Sequence, residues 1–209
     1  AAAIFLGLQR TAKEKKVSES LLLNILPGEV AEELKTKGSA EARHYDEITV
    51  MFTDFKGFTQ IAEKMSPGEL VAEIDVCFKA FDDIITRNGL EKIKTIGDSY
   101  MCAGGLPVPR ADHAEKAVKA ALEIQEFMEQ HQLQRTGKGL ARFEARIGIH
   151  TGPVVAGIVG VKKFAYDIWG DTVNIASRME SSGEAGKVNI SGSTYELVKN
   201  NFMCQYRGK

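Results

Sequence analysis

The order in which strand-like and helix-like segments follow one another most constrains how this chain can fold. The segments are strands at 47–52, 90–96, 99–103 and 143–150, and helices that begin at Ser66 and Asp112. The first helix opens with a capping box, Ser66-Pro67-Gly68-Glu69. This β-α-β-β-α-β order predicts an α+β fold with a ferredoxin-like core, in which helices cover one face of a largely antiparallel sheet.

Further α and β units are expected after this core. They are a second strand or hairpin arm at 152–160, a helix at 172–180, a strand at 188–191, a helix at 193–199 and the start of a last strand at 202–207. The polar, glycine-containing segment 130–140 is predicted to be a loop.

Residues 1–45 differ in pattern from the rest of the chain. A charged helix, an apolar turn at 21–23, a break at Pro27-Gly28 and a short helix ended by Gly38 are expected there. We interpret this segment as a helical connector from an upstream domain, or as an extension packed on the main domain. The main domain is predicted to span residues 46–209.

Composition excludes several classes of protein. The net charge of −1 gives no reason to expect nucleic acid as a partner. The three cysteines lie far apart and fit free thiols in a reducing compartment, so we expect a cytoplasmic location. No apolar stretch is long enough to span a membrane, although a membrane-anchored parent protein stays possible.

Two aspartates follow strand-like runs and carry the chemistry. Asp54 lies in ITVMFTDFKGFT and Asp98 in LEKIKTIGDSYM, where Gly97-Asp98 looks like a hairpin turn. Neighbouring strands would bring the two carboxylates together, and such a pair favours a divalent metal between them. The glycine turn at Gly57, which opens a helix, is suited to hold a phosphate. The alternative for each aspartate alone is a turn and helix cap.

Four segments together resemble the catalytic domain of class III nucleotidyl cyclases. They are FTDFKGFT, EKIKTIGDSYM, ARIGIHTGPVVAGIVG and YDIWGDTVNIASRMES, and the match covers roughly residues 46–207. The resemblance implies conversion of a nucleoside triphosphate into a 3′,5′-cyclic monophosphate and pyrophosphate. It also implies the family's fold as a head-to-tail homodimer with shared active sites.

The resemblance assigns the metal and phosphate ligands. Asp54, Asp98 and the backbone carbonyl of Phe55 would bind two divalent cations, Mg²⁺ or Mn²⁺. The amides around Gly57 and Phe58, together with the Thr59 hydroxyl, would hold the terminal phosphates.

The base-reading residues favour ATP. In this resemblance Lys94 donates to adenine N1 and Asp167 accepts from the N6 amino group, while Ile168 adds backbone contacts. Guanine reverses these donor and acceptor groups, and GTP-specific members carry a Glu and a small polar residue or Cys at these places. The resemblance therefore implies an adenylyl cyclase.

Three further residues are implied to act on the reacting groups. Asn174 and Arg178 lie four residues apart and share a helix face. In the family the Asn orients the ribose and the Arg stabilises charge on the α-phosphate. Arg146 resembles a second arginine that acts on the phosphates. The metal ligands and Arg146 are expected from one subunit, and the base-reading and transition-state residues from its partner.

Three alternatives stay open. A guanylyl cyclase is disfavoured by Lys94 and Asp167, and a non-catalytic nucleotide-binding domain by the complete set of site residues. A diguanylate cyclase or polymerase-like palm domain would share the metal-binding carboxylates and the topology, but this chain has no GGDEF-like segment at the hairpin. The family also has a phosphate-binding lysine on a late hairpin, which we expect to be truncated at residues 206–209.

Overall fold

A computed structural model describes residues 14–137, 140, 142–160 and 164–208. In chain order the elements are α1 (14–23), α2 (Gly28–Lys37), β1 (Arg43–Phe55), α3 (Phe58–Ala62), α4 (Pro67–Arg87), β2 (Glu91–Ile96), β3 (Ser99–Gly104), α5 (His113–Gly137), β4 (Ala145–Ile158), β5 (Tyr166–Trp169), α6 (Asp171–Ser181), β6 (Val188–Ile190) and α7 (Gly192–Val198). Within these described ranges, no helix is long and apolar enough to cross a bilayer.

The strands form one six-stranded sheet in the order β2-β3-β1-β4-β5, and β6 pairs with β4. β1 and β3 are antiparallel, with register from Thr49 opposite Gly104 to Thr53 opposite Tyr100. β2 and β3 form a hairpin around Gly97-Asp98, and β6 runs parallel to β4. The β-α-β-β-α-β order and the predicted α+β class are confirmed.

The chain divides into two compact units. The smaller consists of 1–43 and 156–167, and the larger of 44–155 and 168–209. In the smaller unit, Lys35 of α2 pairs with Glu19 of α1 at 2.5 Å, and Gly38 ends α2 in the left-handed region at φ 75°. The predicted break between two N-terminal helices is therefore present in the described part of that segment, while residues 1–13 lie outside it. The boundary after residue 45 stays a prediction.

A cluster of aromatic rings fixes the end of β1 in the larger unit. The ring of Phe55 is 3% exposed and lies 6.1 Å from that of Phe78 and 5.4 Å from that of Phe143. Phe81 joins the same cluster from α4. Because side chains alternate along a strand, burial of Phe55 in this core directs the preceding Asp54 toward the opposite face of the sheet.

Local signals set the bounds of α4, and the capping box at its start is present as predicted. The Ser66 hydroxyl accepts a hydrogen bond from the Glu69 amide, while the Glu69 carboxylate accepts from Ser66, and Pro67 occupies the first helical turn. The helix ends at Arg87, and Gly89 follows at φ 70°. This helix packs against α5 on one side of the sheet.

Four predictions about secondary structure were wrong. The apolar segment 21–23 is not a turn, because it forms the last three residues of α1. Residues 130–137 of the predicted loop are helical, because α5 continues to Gly137 with Arg135 buried against α4. The apolar stretch from 152 is no separate hairpin arm, because β4 runs unbroken from Ala145 to Ile158. Residues 203–208 are in neither helix nor strand, since no strand of the described chain pairs with them.

Candidate active site

The two predicted carboxylates meet at one edge of the larger unit. Asp54 is the penultimate residue of β1, and Asp98 lies in the turn between β2 and β3. Since β3 pairs with β1, the turn brings Asp98 within hydrogen-bonding distance of Asp54. Burial, followed by the hydrogen bond and charge of Asp54, raises the pKa of Asp98 to about 6, although a backbone hydrogen bond from Phe55 opposes the rise.

Arg146 of β4 holds one of these carboxylates. Its Nη2 lies 3.0 Å from Asp54 Oδ2, and its Nε lies 2.9 Å from Glu180 Oε1. The Glu180 side chain is 8% exposed. Burial and the charge of Asp54 raise the pKa of Glu180, while Arg146 lowers it. The guanidinium therefore bridges two carboxylates, one from β1 and one from α6.

Glu180 was not identified from the sequence. It lies at the end of TVNIASRMES, six residues after Asn174, and its position in the helix gives no local sign of a role. The signal that could have found it is the glycine at 148. A Cβ atom built on Gly148 would lie 1.9 Å from the Glu180 backbone nitrogen, so α6 rests directly on the backbone of β4.

The α6 helix carries functional side chains on two different faces. Its buried residues are Thr172, Ala176 and Glu180, spaced four apart. Asn174 and Arg178 are exposed. Since an α-helix turns about 100° per residue, Arg178 points about 200° away from Glu180. The face with Glu180 reaches Arg146, and the face with Asn174 and Arg178 turns away from it.

The predicted phosphate-binding turn begins at a glycine in the left-handed region. Gly57 caps the N-terminus of α3 in the left-handed region, with φ 67°. This φ favours glycine because a Cβ atom would clash there with the backbone. Phe58 is half-buried and Thr59 is exposed on this short helix, four and five residues after Asp54.

The predicted base-reading residues lie on two strands. Lys94 is exposed on β2, just after an irregularity in the β2–β3 register between Lys92 and Lys94. Such bulges redirect the side chains that follow. Asp167 is half-buried on β5, and the neighbouring Ile168 is buried.

The structure therefore brings Asp54, Asp98 and Arg146 together in one cluster, and places Asn174 and Arg178 on the outer face of α6. Carboxylate and carbonyl oxygens are the donors that Mg²⁺ and Mn²⁺ prefer. Two carboxylates in hydrogen-bonding contact, one with a raised pKa, are stabilised as anions when a cation lies between them. The donors at Asp54 and Asp98 thus fit divalent cations.

Comparisons with known proteins identify the family of this chain. The profile described as "Adenylate and Guanylate cyclase catalytic domain" matches residues 40–209. The chain therefore belongs to the class III adenylyl and guanylyl cyclase family, whose members use divalent metal ions.

The relatives include both adenylate and guanylyl cyclases. An adenylate cyclase of Mycobacterium tuberculosis is 40% identical over 215 residues, covering 99% of this chain and 48% of the relative. Guanylyl cyclase C of Homo sapiens is 40% identical over 200 residues, covering 94% of this chain and 18% of the relative. The chain thus spans about half or less of the length of these proteins.

The fold also has solved relatives. The crystal structure of the catalytic core of a rhodopsin-guanylyl cyclase with converted specificity, in complex with ATPαS, is 39% identical. It superposes with a TM-score of 0.73, covering 78% of this chain and 86% of that chain. This chain is therefore a nucleotidyl cyclase catalytic domain by sequence and by fold.

Proposed function

We propose that this domain is an adenylyl cyclase, which converts ATP into 3′,5′-cyclic AMP and pyrophosphate for intracellular signalling. In the reaction, the 3′-hydroxyl loses its proton to solvent and its oxygen bonds to the α-phosphorus, while the bond from that phosphorus to the pyrophosphate oxygen breaks and pyrophosphate leaves with the electron pair. The observation that carries a cyclase function is the contact of Asp54 with Asp98 beside Arg146. The choice of ATP depends on Lys94 and Asp167.

One half of the site would hold the cations and the triphosphate. Asp54, Asp98 and the Phe55 carbonyl would bind two divalent cations, which supply a lowered pKa of the 3′-hydroxyl and neutralise phosphate charge when bound. The amides around Gly57 and Phe58, with the Thr59 hydroxyl, would orient the terminal phosphates. In this structure Arg146 is held by carboxylates, so its contact with phosphates stays a prediction.

The other half would come from a second copy of the chain. Asn174 and Arg178 point away from the cluster at Asp54, because Glu180 occupies the α6 face that reaches Arg146. A head-to-tail homodimer gives this outer face a substrate to contact. There Arg178 would stabilise charge on the α-phosphate and Asn174 would orient the ribose.

The nucleotide preference is the finer part of the proposal. Lys94 donates hydrogen bonds only, and an ionised Asp167 accepts them only, which complements adenine N1 and N6. Guanine presents a donor at N1 and an acceptor at O6, so both contacts would fail. The alternative is a guanylyl cyclase, and the 40% identity to human guanylyl cyclase C supports it.

The first experiment offers ATP and GTP together at equal concentration with Mn²⁺ and separates the products by mass spectrometry. Adenylyl cyclase activity predicts mostly cyclic AMP. Preferential formation of cyclic GMP would sink the choice of ATP while leaving the cyclase function intact. Formation of neither product would instead favour a non-catalytic domain.

A second experiment tests the shared site by mixing two inactive variants. Asp54→Ala damages the metal half and Arg178→Ala the other half, so each variant alone should be inactive. Equal amounts form about half mixed dimers, and each mixed dimer has one intact site of two. The mixture should therefore recover about a quarter of the wild-type activity.

The matched control mixes Asp54→Ala with Asp98→Ala. Both changes lie in the same half, so every possible pairing leaves each site damaged and no activity should return. Recovery in this control, or no recovery in the first mixture of well-folded proteins, would contradict the shared-site dimer.

We also infer that α1 and α2 connect the catalytic domain to an upstream sensor or membrane domain, with the catalytic part in the cytoplasm. The support is the length of the M. tuberculosis relative, of which this chain covers 48%. Deleting residues 1–40 from the full-length protein should remove regulation. Unchanged activity and regulation would refute this role.

A further inference from the structure

A second group of metal-ligating side chains lies between α4 and α5, on elements that the proposed reaction does not use. It consists of Glu73 and Cys77 from α4 and His131 from α5. One donor atom of each lies within 4.8 Å of the other two. Glu73 and Cys77 are four residues apart, so they share the helix face that meets α5.

The three side chains are already directed at one another. Glu73 Oε1 is in hydrogen-bonding contact with His131 Nε2, and Cys77 is fully buried beside them. The Phe127 ring stacks on the imidazole, with centroids 5.5 Å apart and planes 9° apart, which fixes the ring orientation. The Glu73 and His131 side chains are 11% and 14% exposed, which leaves a narrow opening to solvent.

The donor set matches a borderline-soft transition metal. A thiolate, an imidazole nitrogen and a carboxylate oxygen are the three donor types that Zn²⁺ uses. Donors around one zinc ion lie roughly 3.5 Å apart, because each is about 2.0–2.3 Å from the metal. The Glu73 and His131 donor atoms, now in hydrogen-bonding contact, would move apart by about 1 Å to admit an ion, while Cys77 Sγ already lies within 4.8 Å of both.

Arg135 completes the surroundings of this triangle. Its guanidinium binds Glu73 Oε2, which leaves Oε1 directed at His131, and it stacks 5.0 Å above the Phe143 ring. A cation that binds the outer oxygen of a ligating carboxylate in this way orients that carboxylate. It also balances the charge of Glu73 when no ion is bound, so the helix pair can fold without metal.

We propose that Glu73, Cys77 and His131 form a binding site for Zn²⁺ or a similar transition-metal ion, which links α4 to α5. The ion sits between Glu73 Oε1, His131 Nε2 and Cys77 Sγ, and a water fills the fourth position. On binding, the bond between Sγ and hydrogen breaks, the metal–thiolate bond forms and the proton goes to solvent. This site is separate from the carboxylates at Asp54 and Asp98, which offer no sulfur.

The test uses Co²⁺ as the probe, because a cobalt–thiolate bond gives a charge-transfer absorption that oxygen ligands do not give. Metal-free protein is titrated with Co²⁺ and then with Zn²⁺ under reducing conditions. The wild type should show this band at one Co²⁺ per chain, and Zn²⁺ should abolish it by displacement. The measurement needs no turnover, so it is independent of the proposed cyclase activity.

Variants then identify the ligands. Cys77→Ser should lose the band completely, and His131→Gln should weaken cobalt affinity at least tenfold. Cys204→Ala is the matched control, because Cys204 is exposed and far along the chain, and it should keep the band. Circular dichroism and the melting temperature of each metal-free variant report whether it folds.

Three results would contradict the proposed metal site. A wild-type protein without a thiolate band would rule the site out, whatever the variants do. A band that survives in Cys77→Ser, or that disappears in Cys204→Ala, would assign the thiolate ligand elsewhere. Cys77→Ser and His131→Gln test the same site independently, so if one of them misfolds, the other still tests the proposal.

Discussion

Replacing Asp98 with asparagine should separate stability from function at the carboxylate pair. Asparagine keeps the size of the side chain and its acceptor for the Phe55 amide, but removes the negative charge beside Asp54. Without metal the charged pair destabilises the folded protein. The variant should therefore be more stable than the wild type in metal-free buffer and should fail to catalyse cyclisation.

The size of the effect follows from the pKa of Asp98, which rises from 3.8 to about 6. One pKa unit corresponds to about 1.4 kcal/mol, which gives an upper bound of about 3 kcal/mol. Asp98 is partly exposed, so solvent screening reduces this to about 1–2 kcal/mol. For a domain of this size the melting temperature should rise by about 3–6 °C.

The sign depends on pH. Because folding raises the pKa of Asp98, the wild type loses stability as pH rises through about 6 and suffers no such loss below about 3.8. The gain from Asp98→Asn should be complete at pH 8 and fade toward pH 4. Thermal unfolding with EDTA, followed by circular dichroism at several pH values, measures it.

Adding Mn²⁺ should reverse the order of stability. The cation neutralises the wild-type pair, so the wild type should gain more in melting temperature than the variant. Asp46→Asn is the matched control, because that side chain is 100% exposed, and it should change neither value. A well-folded Asp98→Asn protein that is less stable than the wild type in EDTA at pH 8, or gains equally from Mn²⁺, would refute the reasoning.

Three other variants test separate parts of the structure. Lys94→Glu combined with Asp167→Cys should shift the ratio of cyclic AMP to cyclic GMP toward cyclic GMP in the competition assay, because it inverts the base contacts. Glu91→Gln should stabilise the protein by about 1–2 kcal/mol at pH 8 and not at pH 4.5 in urea unfolding, because burial raises the pKa of Glu91 to about 7 and folded-state stability falls as pH rises through that value. Gly148→Ala should cost about 3 kcal/mol in the same assay, because its Cβ would lie 1.9 Å from the backbone of α6.

Each of these has an outcome that contradicts it. An unchanged product ratio would argue against base reading by Lys94 and Asp167. If Glu91→Gln stabilised the protein equally at both pH values, titration of Glu91 would be excluded as the cause. Glu63→Gln is the control, because Glu63 is exposed, and it should not change stability. Gly192→Ala is the control for Gly148, since nothing lies within 4 Å of its Cβ position; equal effects at both would remove the packing argument.

Local sequence signals predicted the parts of the fold that local chemistry decides. The capping box at Ser66 sets the start of α4 because it acts through the adjacent backbone. The turn at Gly97-Asp98 followed from two short strands with a glycine between them, and it placed Asp98 beside Asp54 once the strands paired.

The features that the sequence did not predict depend on contacts between residues that are far apart in the chain. Segment 130–137 reads as polar, but its His131 and Arg135 meet Glu73 from another helix, which keeps the end of α5 helical. The sequence around Glu180 gives no sign of its role, because its partner Arg146 lies on β4. Neither pairing leaves a periodic pattern in the sequence, because each joins residues more than 30 positions apart.

The two faces of α6 have a consequence for communication between active sites. Through Glu180 and Arg146 the helix is tied to Asp54 of its own chain, and in the proposed dimer its Asn174 and Arg178 serve the substrate bound by the other chain. A small rotation of α6 would then disturb both catalytic centres at once, and nucleotide in one could be sensed by the other. The same rigid connection would make the dimer a cooperative unit, in which the second ATP binds to a site already altered by the first.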